Sequence, residues 1–133
     1  MLHLAWVLIV AITLPGCLLV AAGAAAGGAV AGTAYVMGDL EATVQATPPE
    51  VVSATRATFE RMKILLVSAG ATSLDGKVIG RTASDEKITI TVESTGPTFS
   101  EISIRVGTFG DEEFSRRIYE EILRDLPARQ AGR

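Results

Sequence analysis

The sequence predicts an α+β domain, a two-layer sandwich in which an antiparallel sheet of four to five strands carries two helices on one face, preceded by an apolar N-terminal segment. None of the 12 Lys and Arg or the 15 Asp and Glu residues precedes Asp39 in the 133-residue chain, so the charge density of a soluble domain begins there. Beyond Asp39, several short segments alternate apolar and polar residues, as strands do. Two longer segments repeat apolar residues every three or four positions, as helices do.

The predicted domain, residues 39–127, begins with a strand and a helix. Apolar residues alternate with polar ones from Leu40 to Val44, which predicts a half-buried strand. The next residues, Thr47-Pro48-Pro49-Glu50, have the form of a capping box with proline at the first helical position. An amphipathic helix is therefore expected over residues 48–63, with an apolar face made of Val52, Thr55, Phe59 and Met62.

Four further strands are expected as a meander with one apolar and one polar face. The run Ile64-Leu65-Leu66-Val67 predicts a buried strand, because four consecutive aliphatic residues have no polar face. Asp75-Gly76 is a hairpin signal, and it precedes a short strand at 77–82. Regular alternation then predicts strands at 88–93 and 102–106.

A second helix is expected from its cap at Asp111 to Leu126, before Pro127. Its apolar residues recur every four positions and can lie on the apolar face of the sheet. Acidic residues precede arginines by four positions, the favourable order for ion pairs on a helix: Glu112 and Arg116, Glu113 and Arg117, Glu120 and Arg124. The element order is therefore β-α-β-β-β-β-α, and residues 128–133 form a flexible tail.

The N-terminal segment has the pattern of an export signal. The apolar run at residues 4–14 is too short to cross a bilayer of about 30 Å comfortably at 1.5 Å per residue. It leads into Leu14-Pro15-Gly16-Cys17, which resembles a bacterial lipobox. We therefore expect a signal peptide at residues 1–16, cleavage between Gly16 and Cys17, and acylation of the Cys17 thiol.

A different reading of this region remains open. Cys17 could be a small apolar residue within a transmembrane helix, because the segment before the apolar run lacks the Lys or Arg of a signal peptide. The Ala- and Gly-rich segment that completes residues 17–38 is expected to be a compact, partly helical tether. Its alternative is a second membrane span, with helices packing through small residues four apart: Gly23 with Gly27, and Gly28 with Gly32.

The residue inventory excludes several kinds of chemistry. The chain has one His, one Trp and one Cys, at His3, Trp6 and Cys17. A single Cys allows no intramolecular disulfide. Once Cys17 is acylated and the signal peptide removed, neither thiol nor imidazole remains for Cys-His catalysis or a zinc site built from Cys or His. We therefore expect no enzyme, no cofactor and no metal, and the net charge of −3 does not indicate a nucleic-acid partner.

One loop is a candidate ligand contact: Gly107, Thr108, Phe109 and Gly110. Glycines permit unusual backbone angles, and loops often carry binding residues. The structural alternative, which we expect, is a turn that seats the last helix with Phe109 tucked into the core. Arg105 lies on the polar face of its strand, where a solvated side chain is expected rather than an anion site.

Several segments together resemble a family of small bacterial lipoproteins known only as a domain of unknown function. They are the lipobox, Gly38-Asp39-Leu40-Glu41-Ala42, Asp75-Gly76-Lys77 with Arg81-Thr82-Ala83, the run from Ile104 to Asp111, and Ser115-Arg116-Arg117-Ile118. The resemblance implies an exported, lipid-anchored protein of Gram-negative envelopes. It implies no activity and no catalytic residue. Leu18, after the acylated Cys, looks like a residue that permits transfer to the outer membrane.

The expected function is therefore a non-enzymatic structural or interaction module, held by acyl chains on Cys17 at the outer membrane and facing the periplasm. Its expected partners are the membrane and an envelope protein or glycan, with no nucleic acid. The sequence is also compatible with two other functions. One is a periplasmic domain that binds a peptide, glycan or lipid, and the other is an integral membrane protein anchored through residues 4–37.

Overall fold

The computed structural model describes residues 32–128. The predicted signal peptide, Cys17, most of the tether and nearly all of the C-terminal tail lie outside these residues. The described elements are β1 (Ala34–Val36), β2 (Asp39–Val44), α1 (Pro48–Arg61), β3 (Leu65–Ala71), β4 (Asp75–Arg81), β5 (Lys87–Ser94), β6 (Ser100–Val106) and α2 (Glu112–Asp125).

The strands form one antiparallel sheet in the order β1-β2-β6-β5-β4-β3. The α+β architecture is confirmed, but the described sheet has six strands rather than four to five. The added strand is β1, at residues 34–36 of the segment that we assigned to the tether, and it pairs with β2 across the turn at Met37 and Gly38. Three residues are too few to show a period of two, so the sequence pattern did not reveal it.

The core lies between one face of the sheet and the two helices. Helix α1 packs on β3, β4 and β5, and α2 packs on β2 and β6. Alternate side chains of the inner strands point into this layer, as the period of two predicts. Its largest fully buried side chains include Leu40, Val78, Ile88, Ile90, Ile102, Ile104, Phe59, Ile118 and Ile122.

Helix α1 begins as the sequence predicts and ends two residues earlier. The Glu50 carboxylate accepts a hydrogen bond from the Thr47 amide at 2.8 Å, as in a capping box, and a further one from the Thr47 hydroxyl at 3.0 Å. At the other end, Lys63 has a φ of 57°, and the Ile64 amide donates to the Phe59 carbonyl at 2.8 Å. This left-handed residue stops the helix and turns the chain into β3.

Helix α2 is capped by Asp111, whose carboxylate accepts from the Phe114 amide at 3.0 Å. Two predicted ion pairs are present, Glu112 with Arg116 at 2.8 Å and Glu113 with Arg117 at 3.2 Å. The third prediction was wrong. Arg124 pairs with Glu121 at 2.7 Å, three residues away, because both spacings bring side chains onto one helix surface and spacing alone does not choose between them.

A polar clamp joins the two helices. The Arg61 guanidinium lies 2.6 Å from Oδ2 of Asp125 and 2.7 Å from Oε2 of Glu121. The Thr58 hydroxyl donates to Oδ2 of Asp125 at 2.8 Å. Hydrogen bonds from Arg61 and then Thr58 hold the pKa of the Asp125 carboxyl below its ordinary value.

The predicted hairpin turn at Asp75-Gly76 is displaced toward the N terminus. The chain reverses before Asp75, where the Thr72 hydroxyl accepts from the amides of Leu74 and Asp75 at 3.1 Å each. Gly76 lies within β4, and a Cβ there would stand 2.7 Å from Cγ2 of Val52. Glycine at this position serves close packing of α1 on the sheet rather than the turn.

Candidate functional site

The candidate loop at Gly107, Thr108, Phe109 and Gly110 joins β6 to α2 at one end of the sheet. Both glycines have positive φ, 70° at Gly107 and 84° at Gly110. The Phe109 side chain is 91% exposed, so the expectation that it would be tucked into the core was wrong. Helix α2 instead supplies Ile118 and Tyr119 to the buried core, and its first apolar residue, Phe114, packs partly buried against that core.

An open groove of ≈ 860 Å³ lies beside this loop, between it and the β4–β5 turn. Both signs of charge line the groove: the basic residues are Arg81, Lys87 and Arg105, and the acidic residues are Asp85, Glu86 and Asp111. Threonine hydroxyls add donors and acceptors. The lining also includes Val106 and the exposed Phe109, so the groove offers hydrogen-bonding groups beside apolar surface.

Arg105, on the outer face of β6, is held by the neighbouring strand and turn. Its Nη1 lies 3.2 Å from Oδ1 of Asp39, and its Nη2 donates to the Met37 carbonyl at 3.0 Å. Asp39 and Arg105 stand opposite each other in the β2–β6 ladder. The side chain fastens the β1–β2 turn to the sheet, a role that sequence reasoning missed because strand pairing brings these distant residues together.

Strand β3 is the second candidate, and it corrects a prediction. The run from Ile64 to Val67 was expected to be a buried strand, but only Ile64 is buried. The side chains of Leu65, Leu66 and Val67 are 69%, 40% and 54% exposed. Within residues 32–128, β3 is the last strand of the sheet, so its side chains have a neighbouring strand on one side only.

The backbone of β3 presents hydrogen-bonding groups to the open side of the sheet. The Thr72 amide donates to the Asp75 carbonyl at 2.7 Å. Because paired residues alternate between bonded and non-bonded positions in an antiparallel ladder, Ala71 and Ala69 direct their amides and carbonyls away from β4. Arg56 of α1 donates to the Ala69 carbonyl at 3.2 Å, and a register shift occurs at Val67.

Two buried hydroxyls in the described part of the chain have no hydrogen-bond partner, at Ser115 and Tyr119. Both lie on the core face of α2. Burial raises the pKa of the Tyr119 phenol. Neither hydroxyl borders the groove or the β3 edge.

Metal-binding geometry is absent from the described residues: none of their His, Cys, Asp and Glu side chains form a group of three or more that could hold an ion. Helices α1 and α2 are each too short and too polar to cross a membrane. The predicted cleavage and acylation residues, Gly16 and Cys17, lie outside residues 32–128.

Comparison with known protein families places most of the chain in one of them. Residues 1–125 match the family described as Protein of unknown function (DUF3568). No match was found among curated proteins. The match spans the N-terminal apolar segment as well as the sheet and both helices, and the chain therefore belongs to the DUF3568 family of proteins of unknown function.

Proposed function

We propose that this protein is a lipid-anchored envelope protein that acts as a non-enzymatic interaction module, and that the edge of β3 pairs with an uncharged, extended segment of a partner protein. The observation that carries the proposal is the open β3 edge, on which Leu65, Leu66 and Val67 are exposed to solvent. Contiguous exposed aliphatic side chains of this kind are typical of interaction surfaces.

The anchor rests on Cys17 in the sequence Leu14-Pro15-Gly16-Cys17. Each acyl methylene buried in a membrane contributes roughly 0.8 kcal/mol, so two or three chains bind a protein to its membrane stably. Leu18, directly after the acylated cysteine, favours localisation at the outer membrane, with the domain facing the periplasm. Acylation of Cys17 also leaves the mature chain without a thiol, which supports a non-enzymatic role.

The composition of β3 supports strand pairing as the means of interaction. An exposed edge strand is a template for another chain, and soluble proteins usually protect it with charged residues or proline. The seven residues of β3, LLVSAGA, contain neither. The remaining protection is the register shift at Val67 and the hydrogen bond from Arg56, whose exposed side chain can swing away when a partner strand arrives.

The geometry also indicates what a partner strand would contact. Its backbone would bond to the outward amides and carbonyls of Ala69 and Ala71, as in peptide recognition by strand addition. Its side chains would lie beside the exposed aliphatic residues at Leu65 and Val67. An apolar, uncharged segment is therefore the matching chemistry, and β3 of a second copy of this chain meets that description.

Site-specific photocrosslinking in the intact envelope tests the edge. A photoreactive residue at Val67 should capture one defined partner, and the same residue at Glu101, exposed on the outer face of the sheet, should not. Ala71→Pro should abolish the adduct, because proline removes an outward amide that β4 does not use. Ala71→Ser should retain it. Equal adducts from both positions, or an adduct that survives Ala71→Pro, would reject the proposal.

Mass spectrometry of membrane-extracted protein tests the anchor separately. The expected N-terminal peptide begins at a diacylglyceryl-modified Cys17. A peptide that begins at unmodified Leu2 or His3 would exclude the lipoprotein. Retention of Cys17→Ala in the membrane, with no modified peptide in the parent protein, would favour the alternative of an integral membrane protein held by residues 4–37.

A second candidate function, periplasmic binding of a small polar ligand such as a glycan or peptide, is favoured by the groove beside the Gly107–Gly110 loop. Its lining of charged and hydroxyl groups matches such ligands, with Phe109 exposed at the loop. Titration of the full chain with envelope glycan fragments should shift the NMR signals of the Gly107 and Thr108 amides. Unchanged signals at saturating fragment would reject this function.

A further inference from the structure

We infer that one end of the domain rests directly on the lipid surface that anchors the chain, with Met37 and Phe109 inserted among the lipid headgroups. This end, the Met37–Phe109 end, consists of the β1–β2 turn at residues 37–38 and the β6–α2 loop at residues 107–110. The inference rests on the proposed membrane anchor. It adds a second, non-covalent contact that sets the orientation of the domain.

The two side chains are the most exposed large apolar residues in the described part of the chain. Met37 is 90% exposed and Phe109 is 91% exposed. They belong to adjacent segments, because a Cβ on Gly38 would stand 2.8 Å from the Phe109 carbonyl oxygen. Two exposed apolar side chains on adjoining segments therefore give this end of the domain more apolar surface than one isolated side chain would.

The backbone holds the turn in an outward conformation. Met37 has a φ of 53°, a left-handed conformation that is uncommon for a residue with a side chain. The Met37 carbonyl accepts a hydrogen bond from Arg105 at 3.0 Å, and the turn packs against the loop through Gly38. The two-residue hairpin turn between Val36 and Asp39 itself favours positive φ at both turn residues, and these two contacts hold the turn against the loop.

The point at which the chain enters the domain brings this end within reach of the anchor. The Thr33 hydroxyl lies 3.2 Å from Nη1 of Arg116, in the first half of α2. Met37 follows Thr33 by four positions, which is at most about 13 Å in a strand. The fifteen residues from 18 to 32 span about 22 Å as a helix and about 50 Å when extended. That length lets the Met37–Phe109 end touch the lipid into which Cys17 is inserted.

The charges at this end match a zwitterionic lipid surface. Arg105 is paired with Asp39, and Arg81 is paired with Asp85 at 3.2 Å, so neither sign dominates. Lipid headgroups that carry a phosphate and an ammonium group match such a surface, and insertion depends on the apolar side chains. Two side chains alone bind weakly, but the tether raises the local concentration of lipid that they meet. The contact should accordingly depend little on salt.

Tryptophan fluorescence of the full, anchored chain in vesicles of brominated phosphatidylcholine tests the inference. Trp6, the one tryptophan of the chain, is removed with the proposed signal peptide, so an introduced tryptophan is the single tryptophan of the mature, anchored chain. Phe109→Trp should be quenched several-fold by the brominated acyl chains. The matched control is Leu74→Trp, at a residue that is 73% exposed in the β3–β4 turn at the opposite end of the sheet, and it should not be quenched. Adding Met37→Asp to Phe109→Trp should reduce the quenching at least twofold.

The outcomes separate this inference from the proposed anchor. If the protein does not float with the vesicles, the anchor is rejected and the inference fails with it. If the protein floats but Phe109→Trp is quenched no more than Leu74→Trp, the lipid contact is rejected and the anchor stands. If Met37→Asp leaves the quenching unchanged, the turn has no part in the contact.

Discussion

Gly38 and Gly110 lie back to back where the β1–β2 turn meets the β6–α2 loop. A Cβ on Gly110 would stand 2.6 Å from the Gly38 Cα and closer still to the Gly38 carbonyl and the Tyr35 hydroxyl. Both residues have left-handed backbones, with φ of 93° and 84°. Two segments separated by about seventy residues in sequence therefore meet without room for a side chain at either position.

We predict that Gly110→Ala lowers the free energy of unfolding by about 1–3 kcal/mol, because it adds backbone strain and a steric clash at one contact. Urea denaturation of the purified chain measures it. Gly96→Ala is the control, since nothing lies within 4 Å of a Cβ there, and it should change stability by less than about 0.5 kcal/mol. Equal losses from the two variants would contradict the packing described here.

The Phe59 ring occupies the space left by Gly80 in β4. A Cβ on Gly80 would stand 2.9 Å from Cδ2 of Phe59 and 2.9 Å from Cγ2 of Ile64. We expect Gly80→Ala to destabilise by about 1–3 kcal/mol through overpacking. Phe59→Leu frees space next to Gly80. The double variant should therefore lose less free energy of unfolding than the sum of the losses of the two single variants. Additive losses in a double-mutant cycle would show that the two residues do not compete for this space.

The pKa of the Asp125 carboxyl is lowered in the folded state by Arg61 and then Thr58. A lowered folded-state pKa stabilises the fold above the unfolded-state pKa of about 4, and this contribution is lost as the pH falls through the folded-state value. Asp125→Asn should therefore lower the free energy of unfolding by about 1 kcal/mol or less near neutral pH, because Arg61 is exposed to solvent. At about pH 2 it should lower this free energy by almost nothing. Glu120→Gln, which removes a carboxylate on the exposed face of α2, is the control variant. A constant deficit for Asp125→Asn between these pH values would be inconsistent with a charge effect.

Tyr119 buries its hydroxyl without a partner in the described part of the chain. A buried, unsatisfied hydroxyl costs free energy, so Tyr119→Phe should leave stability unchanged or raise it by up to about 1 kcal/mol. Thermal denaturation at a fixed pH measures the change. Tyr35→Phe, at the packed Gly110 contact, serves as the comparison. A loss above about 1 kcal/mol for Tyr119→Phe would instead show that the hydroxyl makes a hydrogen bond in solution.

Arg56 shields the β3 edge through its hydrogen bond to the Ala69 carbonyl. Arg56→Ala should change stability by less than about 0.5 kcal/mol, because the bond is exposed. The variant should associate with itself more strongly, because the Ala69 carbonyl at the edge becomes free to pair with another chain. Sedimentation over a range of concentrations measures this association. Arg124→Ala removes a comparably exposed arginine of α2 and should not. Equal self-association of the two variants would show that Arg56 does not protect the β3 edge.

Periodicity predicted the kinds of elements well, and its errors have local causes. The alternation at Leu40, Ile90 and Ile104 predicted strands because a sheet with one covered face requires a period of two. The apolar positions of α1 and α2 were equally informative. The prediction of a turn at Asp75-Gly76 was wrong because glycine occurs both in turns and where close packing leaves no room for a side chain. Here Gly76 lies within β4 and makes room for Val52.

The sequence predicted the position of the candidate loop, but it did not predict which of the loop's side chains are exposed. Gly107 and Gly110 indicated a turn, yet nothing in the residue order distinguishes an inward Phe109 from an outward one. That choice depends on whether α2 already fills the core. The run Leu65-Leu66-Val67 was likewise predicted to be a strand, but its position in the sheet was unknown, so its exposure could not be foreseen.

Residue order by itself determined the charge boundary at Asp39 and the types of the main elements, because each depends on neighbours within one turn or one strand. The proposal of an anchor at Cys17 likewise rests on residue order alone. Tertiary structure alone decided which strand became the open edge, which arginine faced Asp39, and that Met37 and Phe109 share one end of the domain. These outcomes depend on pairing between segments far apart in the chain, and local patterns of hydrophobicity do not specify which segments pair.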